Sequence, residues 1–190
     1  SRLSSLVSRL SSLVSRLSLS SGMKHPIHSL LLRDLAALRR ELEAYPDERQ
    51  IWALPPGLPN SAGTLTLHLA GNLQSFIGTA FGKTGYVRNR PAEFSRRDVS
   101  RSELLAQIDA TVSAINAAFA RLTSEQLAAD FPDVLNGYRY NAEDFLIHLA
   151  VHLGFHLGQI DYHRRVVTGD PAPARVMAMT EMMSARRVEG

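Results

Sequence analysis

The sequence contains no cysteine. This absence excludes disulfide frameworks, thiolate metal ligands and cysteine nucleophiles, so any metal site must use histidine, aspartate or glutamate. No apolar run approaches the roughly 20 residues that a membrane-spanning helix needs. We therefore expect no membrane partner, and a cytoplasmic location fits the lack of cysteine.

Beyond its first 22 residues, the chain also lacks an excess of basic or acidic side chains. The net charge of +3 comes from Arg2, Arg9 and Arg16 in an acid-free leader, and the residues from Met23 onward carry 18 basic and 18 acidic side chains. Nucleic-acid-binding proteins usually carry a basic patch. We therefore expect no nucleic-acid partner, and 190 residues leave room for one globular domain.

The leader, residues 1–22, repeats a serine- and leucine-rich heptad. Serine is a mediocre helix former, and a few heptads give little stability alone. We interpret residues 1–22 as an artefact, or as a disordered or amphipathic appendage. Residues 23–190 are then a single domain with a C-terminal tail.

The rest of the chain has helical periodicity, with no strand pattern to compete with it. The boundaries come from apolar spacing, from capping residues and from a terminal glycine. The four predicted main helices run from Ile27 to Tyr45, from Ser61 to about Phe81, from Ser100 to about Leu122 and from Asn141 to Gly169. Four amphipathic helices in one domain predict an all-α fold, a four-helix bundle.

Residues 148–160, HLAVHLGFHLGQI, hold three of the seven histidines at four-residue intervals. This spacing places His148, His152 and His156 on one stripe of a helix. Apolar residues cover the remaining circumference, so we expect the helix to be buried. In a bundle, His68 of the second helix could meet His152 and His156 in the core. Three imidazoles with one open position suit Zn²⁺, Ni²⁺, Co²⁺ or Fe²⁺, and such an ion activates water or a thiol.

The same pattern also fits a metal-free bundle, because a buried histidine is more often a hydrogen-bonded core residue than a ligand. His148 could be a ligand, but we favour a partner of a ligand histidine or a packed core residue. Asn72 and Gln159 could orient ligand imidazoles through the free ring nitrogens, or satisfy neighbouring backbone. His163 lies nearer the helix end, where we expect it to be solvated.

Three segments of the sequence resemble the DinB/YfiT-like superfamily, in particular a bacterial subgroup that shares these motifs. They are LHLAGNL at 67–73, VRNRPAEFS at 87–95 and HLAVHLGFHLGQI at 148–160. The resemblance covers about residues 24–168. It implies an up-down-down-up four-helix bundle, often dimeric, with a metal held by His68, His152 and His156. Relatives include thiol S-transferases that use bacillithiol or mycothiol, a mycothiol-dependent maleylpyruvate isomerase and proteins named as metal-dependent hydrolases.

The loop at 87–95 adds candidate substrate-binding groups. Arg88 and Arg90 could bind a carboxylate or a phosphate through their planar guanidinium groups. Glu93 is a candidate catalytic proton acceptor, but we favour an ion pair with one of these arginines. Weaker candidates for the pocket are Tyr86, Tyr138 and Tyr140.

We therefore expect a cytoplasmic, homodimeric, metal-dependent enzyme that acts on a small molecule. It would be a thiol S-transferase with a low-molecular-weight thiol cosubstrate, or a hydrolase. The alternative is a non-catalytic dimeric helical bundle with a structural metal or none.

Overall fold

Helices dominate the computed structural model, which describes residues 25–188. The leader lies outside the described residues. The helices are α1 (Pro26–Glu43), α2 (Ala62–Leu73, continued by a π-helix at Gln74–Thr79), α3 (Arg90–Ser95), α4 (Arg101–Phe119), α5 (Ser124–Ala128) and α6 (Ala142–Thr168), with 3₁₀ turns at Glu48–Trp52 and Met179–Glu181. Residues 25–188 contain isolated β-bridges but no β-strand. The all-α prediction is therefore confirmed.

Local capping chemistry sets the helix ends. The side chains of three predicted cap residues accept hydrogen bonds from backbone N–H groups of the first turn: Ser61, Ser100 and Asn141. These bonds satisfy donors that a helix start leaves unpaired. Gly169 ends α6 with a φ of 71°, a left-handed conformation that glycine adopts without steric cost.

The four long helices pack around one apolar core. Helix α1 packs against α4 and α6, and α2 packs against the same two helices. Their facing sides supply the fully buried leucines and isoleucines of the core. These pairings are the ones that a four-helix bundle makes. The up-down-down-up order stays a prediction.

A buried charge cluster joins the ends of α1 and α6 to the C-terminal tail. Arg164 is 1% exposed and donates to Glu41 Oε2 at 2.6 Å. Burial raises the pKa of Glu41 to about 7, against the lowering effect of the Arg164 guanidinium. Arg164 also donates to the carbonyl oxygen of Ala172 at 2.7 Å. The cluster therefore fastens the tail to the bundle.

The prediction that α6 is buried on all sides is wrong. An apolar row on its outer face is exposed by 46% to 73%, and we call it the α6 stripe: Ile147, Val151, Phe155, Tyr162 and Val166. Neighbouring helices cover the opposite face of α6, on which Leu149, Leu153 and Leu157 are buried. Among the helices of residues 25–188, none combines the length and apolar content that crossing a membrane requires.

The prediction that His163 is solvated is also wrong. Its side chain is 2% exposed, because Tyr45 and the backbone of Ala53 pack against it. The ring Nε2–H donates to the Ala53 carbonyl oxygen at 2.9 Å, and the Tyr45 hydroxyl donates to Nδ1 at 2.7 Å. Burial raises the pKa of the Tyr45 phenol, so the hydroxyl stays protonated and can donate this hydrogen bond. His163 is therefore a neutral, hydrogen-bonded core residue.

We expect His163 to make the metal-free protein less stable in acid. Burial lowers the pKa of His163 below its ordinary value of 6.5. Below that pH the unfolded chain therefore binds a proton that the folded chain does not, and the free energy of unfolding decreases. A difference of one bound proton changes the free energy of unfolding by at most about 1.4 kcal/mol per pH unit. Urea unfolding at about pH 7.5 and at about pH 5.5 tests this expectation. Between the higher and the lower pH, a His163→Gln variant should lose less unfolding free energy than the wild type. Equal losses would exclude this role for His163.

Candidate metal centre

Three histidines from two helices converge at one end of a cleft. His68 lies on α2, and His152 and His156 lie one turn apart on α6. The Nε2 atom of His152 is 3.3 Å from Nε2 of His68 and 3.1 Å from Nε2 of His156. His68 is buried, whereas the other two are half-buried. The helical spacing and the packing of α2 on α6 thus bring the three predicted ligands together.

Glu93 fixes the ring of His68. The His68 Nδ1–H donates to Glu93 Oε2 at 3.0 Å, and a carboxylate in this position leaves the Nε2 lone pair of His68 free. Arg88 donates to both oxygens of the same carboxylate, at 2.7 and 2.9 Å. Burial acts to raise the pKa of Glu93, but hydrogen bonds from Arg88 and His68 outweigh it and hold that pKa below its usual value. Burial lowers the pKa of His68, although the nearby carboxylate opposes this effect. The lowered pKa favours a neutral ring.

Gln159 holds the second ring, and the third ring carries a free nitrogen. The His156 Nδ1–H donates to Gln159 Oε1 at 2.7 Å, which leaves the Nε2 lone pair of His156 free. Nδ1 of His152 is buried without a hydrogen-bond partner among the described residues. Burial lowers the pKa of His152 to about 4, and the neighbouring histidines add to this effect. The Nε2 atoms of the three imidazole rings therefore meet at one point.

A divalent metal fits this donor set. One ligand nitrogen from each histidine can be chosen so that all three lie within 4.8 Å of one another. Nitrogens bound tetrahedrally to zinc lie about 3.3 Å apart, given Zn–N bonds of about 2.0–2.1 Å. The cluster of His68, His152 and His156 could thus bind a metal ion.

Gly71 provides the space that Glu93 occupies. A Cβ atom at Gly71 would lie 2.2 Å from Glu93 Oε1 and 2.8 Å from its carboxyl carbon. Glu93 itself is 5% exposed. Only a glycine lets the carboxylate approach α2 closely enough to reach His68 in this way. The sequence analysis missed this role, although a glycine in the middle of a helix often marks a close approach.

A cleft of about 1040 Å³ opens beside the histidines. It is lined by His68, His152 and His148, by Asn72, and by apolar and aromatic side chains from α2, α6 and the 131–141 loop. His148 is exposed, so its packing in the core is excluded; its ring stacks against those of Phe145 and His152. Asn72 is 7% exposed, and its Oδ1 has no hydrogen-bond partner among the described residues. An orienting role for Asn72 stays a prediction.

The two arginines of the 87–95 segment, Arg88 before α3 and Arg90 at its start, have different surroundings. Arg88 is paired with Glu93, which is the ion pair that the sequence analysis favoured. Both Glu93 oxygens are thereby engaged, which argues against a catalytic proton acceptor. Arg90 is exposed at the cleft, and its guanidinium lies 5.1 Å from the centre of the Phe94 ring. Arg90 is therefore the better candidate for contact with a substrate anion.

Comparison with known proteins bears on the family of the chain. No curated protein sequence matches the chain closely enough to count as a relative. The sequence model of the DinB superfamily matches residues 30–160, a range that includes the three histidines, the loop arginines and Glu93. The resemblance seen in the motifs is thus confirmed over more than half of the chain, and the chain belongs to the DinB superfamily.

Proposed function

We propose that this protein is a metal-dependent enzyme that acts on a small molecule, as a thiol S-transferase or a hydrolase. The observation that carries the proposal is the convergence of the Nε2 atoms of three histidines at the end of an open cleft. Three histidine ligands leave one coordination position open, as catalytic sites do and closed structural sites do not. The cysteine-free sequence supports a cytoplasmic location.

The side chains around the cluster have separable roles in this proposal. His68, His152 and His156 would hold a divalent ion of zinc, nickel, cobalt or iron, which supplies a Lewis acid that makes a water or a thiol nucleophilic near neutral pH. Glu93 and Gln159 keep two of the rings in the ligating tautomer. Arg90 would orient an anionic group of the substrate.

The first experiment measures metal content and then turnover. Protein loaded with each of the four metals in turn should retain about one equivalent per chain by plasma mass spectrometry. The loaded protein is then supplied with an electrophile, with and without a low-molecular-weight thiol, and with a panel of small esters and amides. Loss of the electrophile only with the thiol identifies a transferase, and cleavage of a panel member without the thiol identifies a hydrolase. Failure to bind any of the metals would favour the non-catalytic alternative.

We also propose that the protein is a homodimer, and the α6 stripe supports this proposal. Five apolar side chains along one face of a 27-residue helix are exposed. Contiguous apolar patches of this kind mark interaction sites, and one helix face can pair with its own copy about a two-fold axis.

Charges on the α6 stripe should separate the dimer. Val151 and Val166 are 66% and 62% exposed, so glutamates at both positions would not disturb the core of one chain. Like charges brought together and desolvated in an interface oppose association. Sedimentation velocity should find a monomer for the Val151→Glu, Val166→Glu double variant and a dimer for the wild type. Val188 is 91% exposed and does not belong to α6, and a Val188→Glu control should remain a dimer. A dimeric double variant would contradict the use of this face.

A further inference from the structure

Aromatic side chains form one wall of the cleft beside the three histidines. The ring of Phe145 lies 5.3 Å from that of Phe76 in an edge-on arrangement. The ring of Tyr140 stacks against Phe145 at 5.8 Å, and the ring of His148 stacks against Phe145 at 5.9 Å. Val134, 54% exposed, lines the same cleft. Such a wall favours a flat apolar ligand, because aromatic rings pack well by stacking and by edge-to-face contact.

The charges at the cleft favour an anion. Arg88 is neutralised by Glu93, whereas Arg90 has no carboxylate within salt-bridge distance among residues 25–188. Asp144 supplies one negative charge to the lining. The three histidines bring no negative charge, so a divalent ion held by them would leave the cleft positive overall. An exposed guanidinium beside such a site suits a carboxylate, whose two oxygens match its planar donors.

A buried polar group adds an independent sign that the cleft takes a ligand with a hydrogen-bonding substituent. The Asn72 side chain lines the cleft one turn along α2 from His68, and its Oδ1 has no partner among the described residues. Buried carbonyl oxygens of native proteins are normally paired. A ligand N–H or O–H group at this end of the cleft would satisfy it.

From the aromatic wall and the exposed guanidinium of Arg90 we infer that the substrate is a small arylcarboxylate, and an N–H or O–H substituent on it would pair with Asn72 Oδ1. Its ring packs against the wall formed by Phe76, Tyr140 and Phe145, and its carboxylate pairs with Arg90. The inference rests on the proposed function, because it assigns a substrate class to the cleft beside the proposed metal centre. It does not depend on whether the reaction is thiol transfer or hydrolysis.

Calorimetric titration with three probes tests the inference. Cinnamate carries both features, cinnamamide has the same shape without the charge, and propionate has the charge without the ring. Cinnamate should bind the zinc-loaded wild type about 10-fold or more tighter than cinnamamide, as expected for a charged hydrogen-bonded pair. It should also bind tighter than propionate. Equal affinity for cinnamate and cinnamamide, or for cinnamate and propionate, would overturn the inference.

Two variants assign the contacts. Arg90→Gln should remove the preference for cinnamate over cinnamamide, whereas the exposed Arg121→Gln control should keep it. Tyr140→Ala should weaken cinnamate about 2- to 10-fold and leave propionate unchanged. A preference for cinnamate that survives Arg90→Gln would place the carboxylate elsewhere and overturn the inference.

Titration of the metal-free protein separates this inference from the proposed function. If cinnamate binds the metal-free protein and this binding depends on Arg90, the inference holds. It then holds even if no metal can be loaded and the proposed function fails. If cinnamate binds only the zinc-loaded protein and ignores Arg90→Gln, the carboxylate binds the metal directly. In that case the inference fails while the metal centre stands.

Discussion

Replacing His152 with alanine is expected to abolish metal binding. His152 is the central member of the cluster, since its Nε2 lies within 3.3 Å of both other Nε2 atoms. Removal of one of three ligands leaves two imidazoles, too few for a stable zinc site in a protein. His68→Ala and His156→Ala should have the same effect. The measurement is metal per chain by plasma mass spectrometry after dialysis against a weak chelator.

His148→Ala is the matched control for these three variants. His148 lies on the same stripe of α6 and lines the same cleft, but it is not a member of the three-histidine cluster. It should therefore keep about one equivalent of metal. Circular dichroism should find all four variants folded. Unchanged metal content in His68→Ala, His152→Ala and His156→Ala alike would exclude the proposed site.

The stability of the same variants gives a second readout. A ligand that binds only the folded state raises the free energy of unfolding by an amount that grows with its concentration. Added zinc should therefore stabilise the wild type and His148→Ala against urea, and it should leave His152→Ala unchanged. Zinc stabilisation of His152→Ala would indicate that the metal binds elsewhere.

Gly71→Ala is expected to weaken metal binding about 10- to 100-fold, the usual cost of losing a residue that orients a ligand histidine. The added methyl group would occupy the position of Glu93 Oε1, at 2.2 Å. Glu93 would have to withdraw from His68 and Arg88, which removes a buried ion pair. Alanine is otherwise a better helix former than glycine. We therefore expect a net loss of roughly 1–3 kcal/mol in the unfolding free energy of the metal-free protein.

Two further variants separate this effect from a general cost of alanine. At Gly158, also in a helix that carries ligands, an added Cβ would have no neighbour within 4 Å. Gly158→Ala should therefore leave metal affinity unchanged and raise stability by up to about 1 kcal/mol. Combining Gly71→Ala with Glu93→Asp shortens the acid by one methylene and should recover part of the affinity. Wild-type affinity in Gly71→Ala would show that Glu93 does not support the site.

The parts of the fold that depend on local chemistry could be predicted from the sequence. Ser61, Ser100 and Asn141 begin helices because their side chains pair with backbone groups only two or three residues away. The grouping of His152 with His156 follows from helical spacing alone. Their meeting with His68 required only that α2 and α6 face each other in the core.

The parts that depend on which surfaces meet could not be predicted. His163 was expected in solvent because it is near a helix end, yet Tyr45, distant in sequence, buries it. Phe155 was expected in the core because its helix is apolar, yet no element covers that face among the described residues. The contact of Gly71 with Glu93 likewise joins α2 to α3, 22 residues further on. Packing partners of this kind leave no periodic trace in the sequence.

The π-helix at Gln74–Thr79 lies where α2 contributes both to the cleft and to the contact with α4. Before it, His68 and Asn72 line the cleft; within it, Gly78 packs against Ala114 of α4. A π turn shifts the helical phase between the residues that precede it and those that follow, and such turns are frequent at functional sites. Because Phe76 of the same π turn lines the cleft, substitutions that repack the contact of Gly78 with α4 are expected to alter the aromatic wall of the cleft as well.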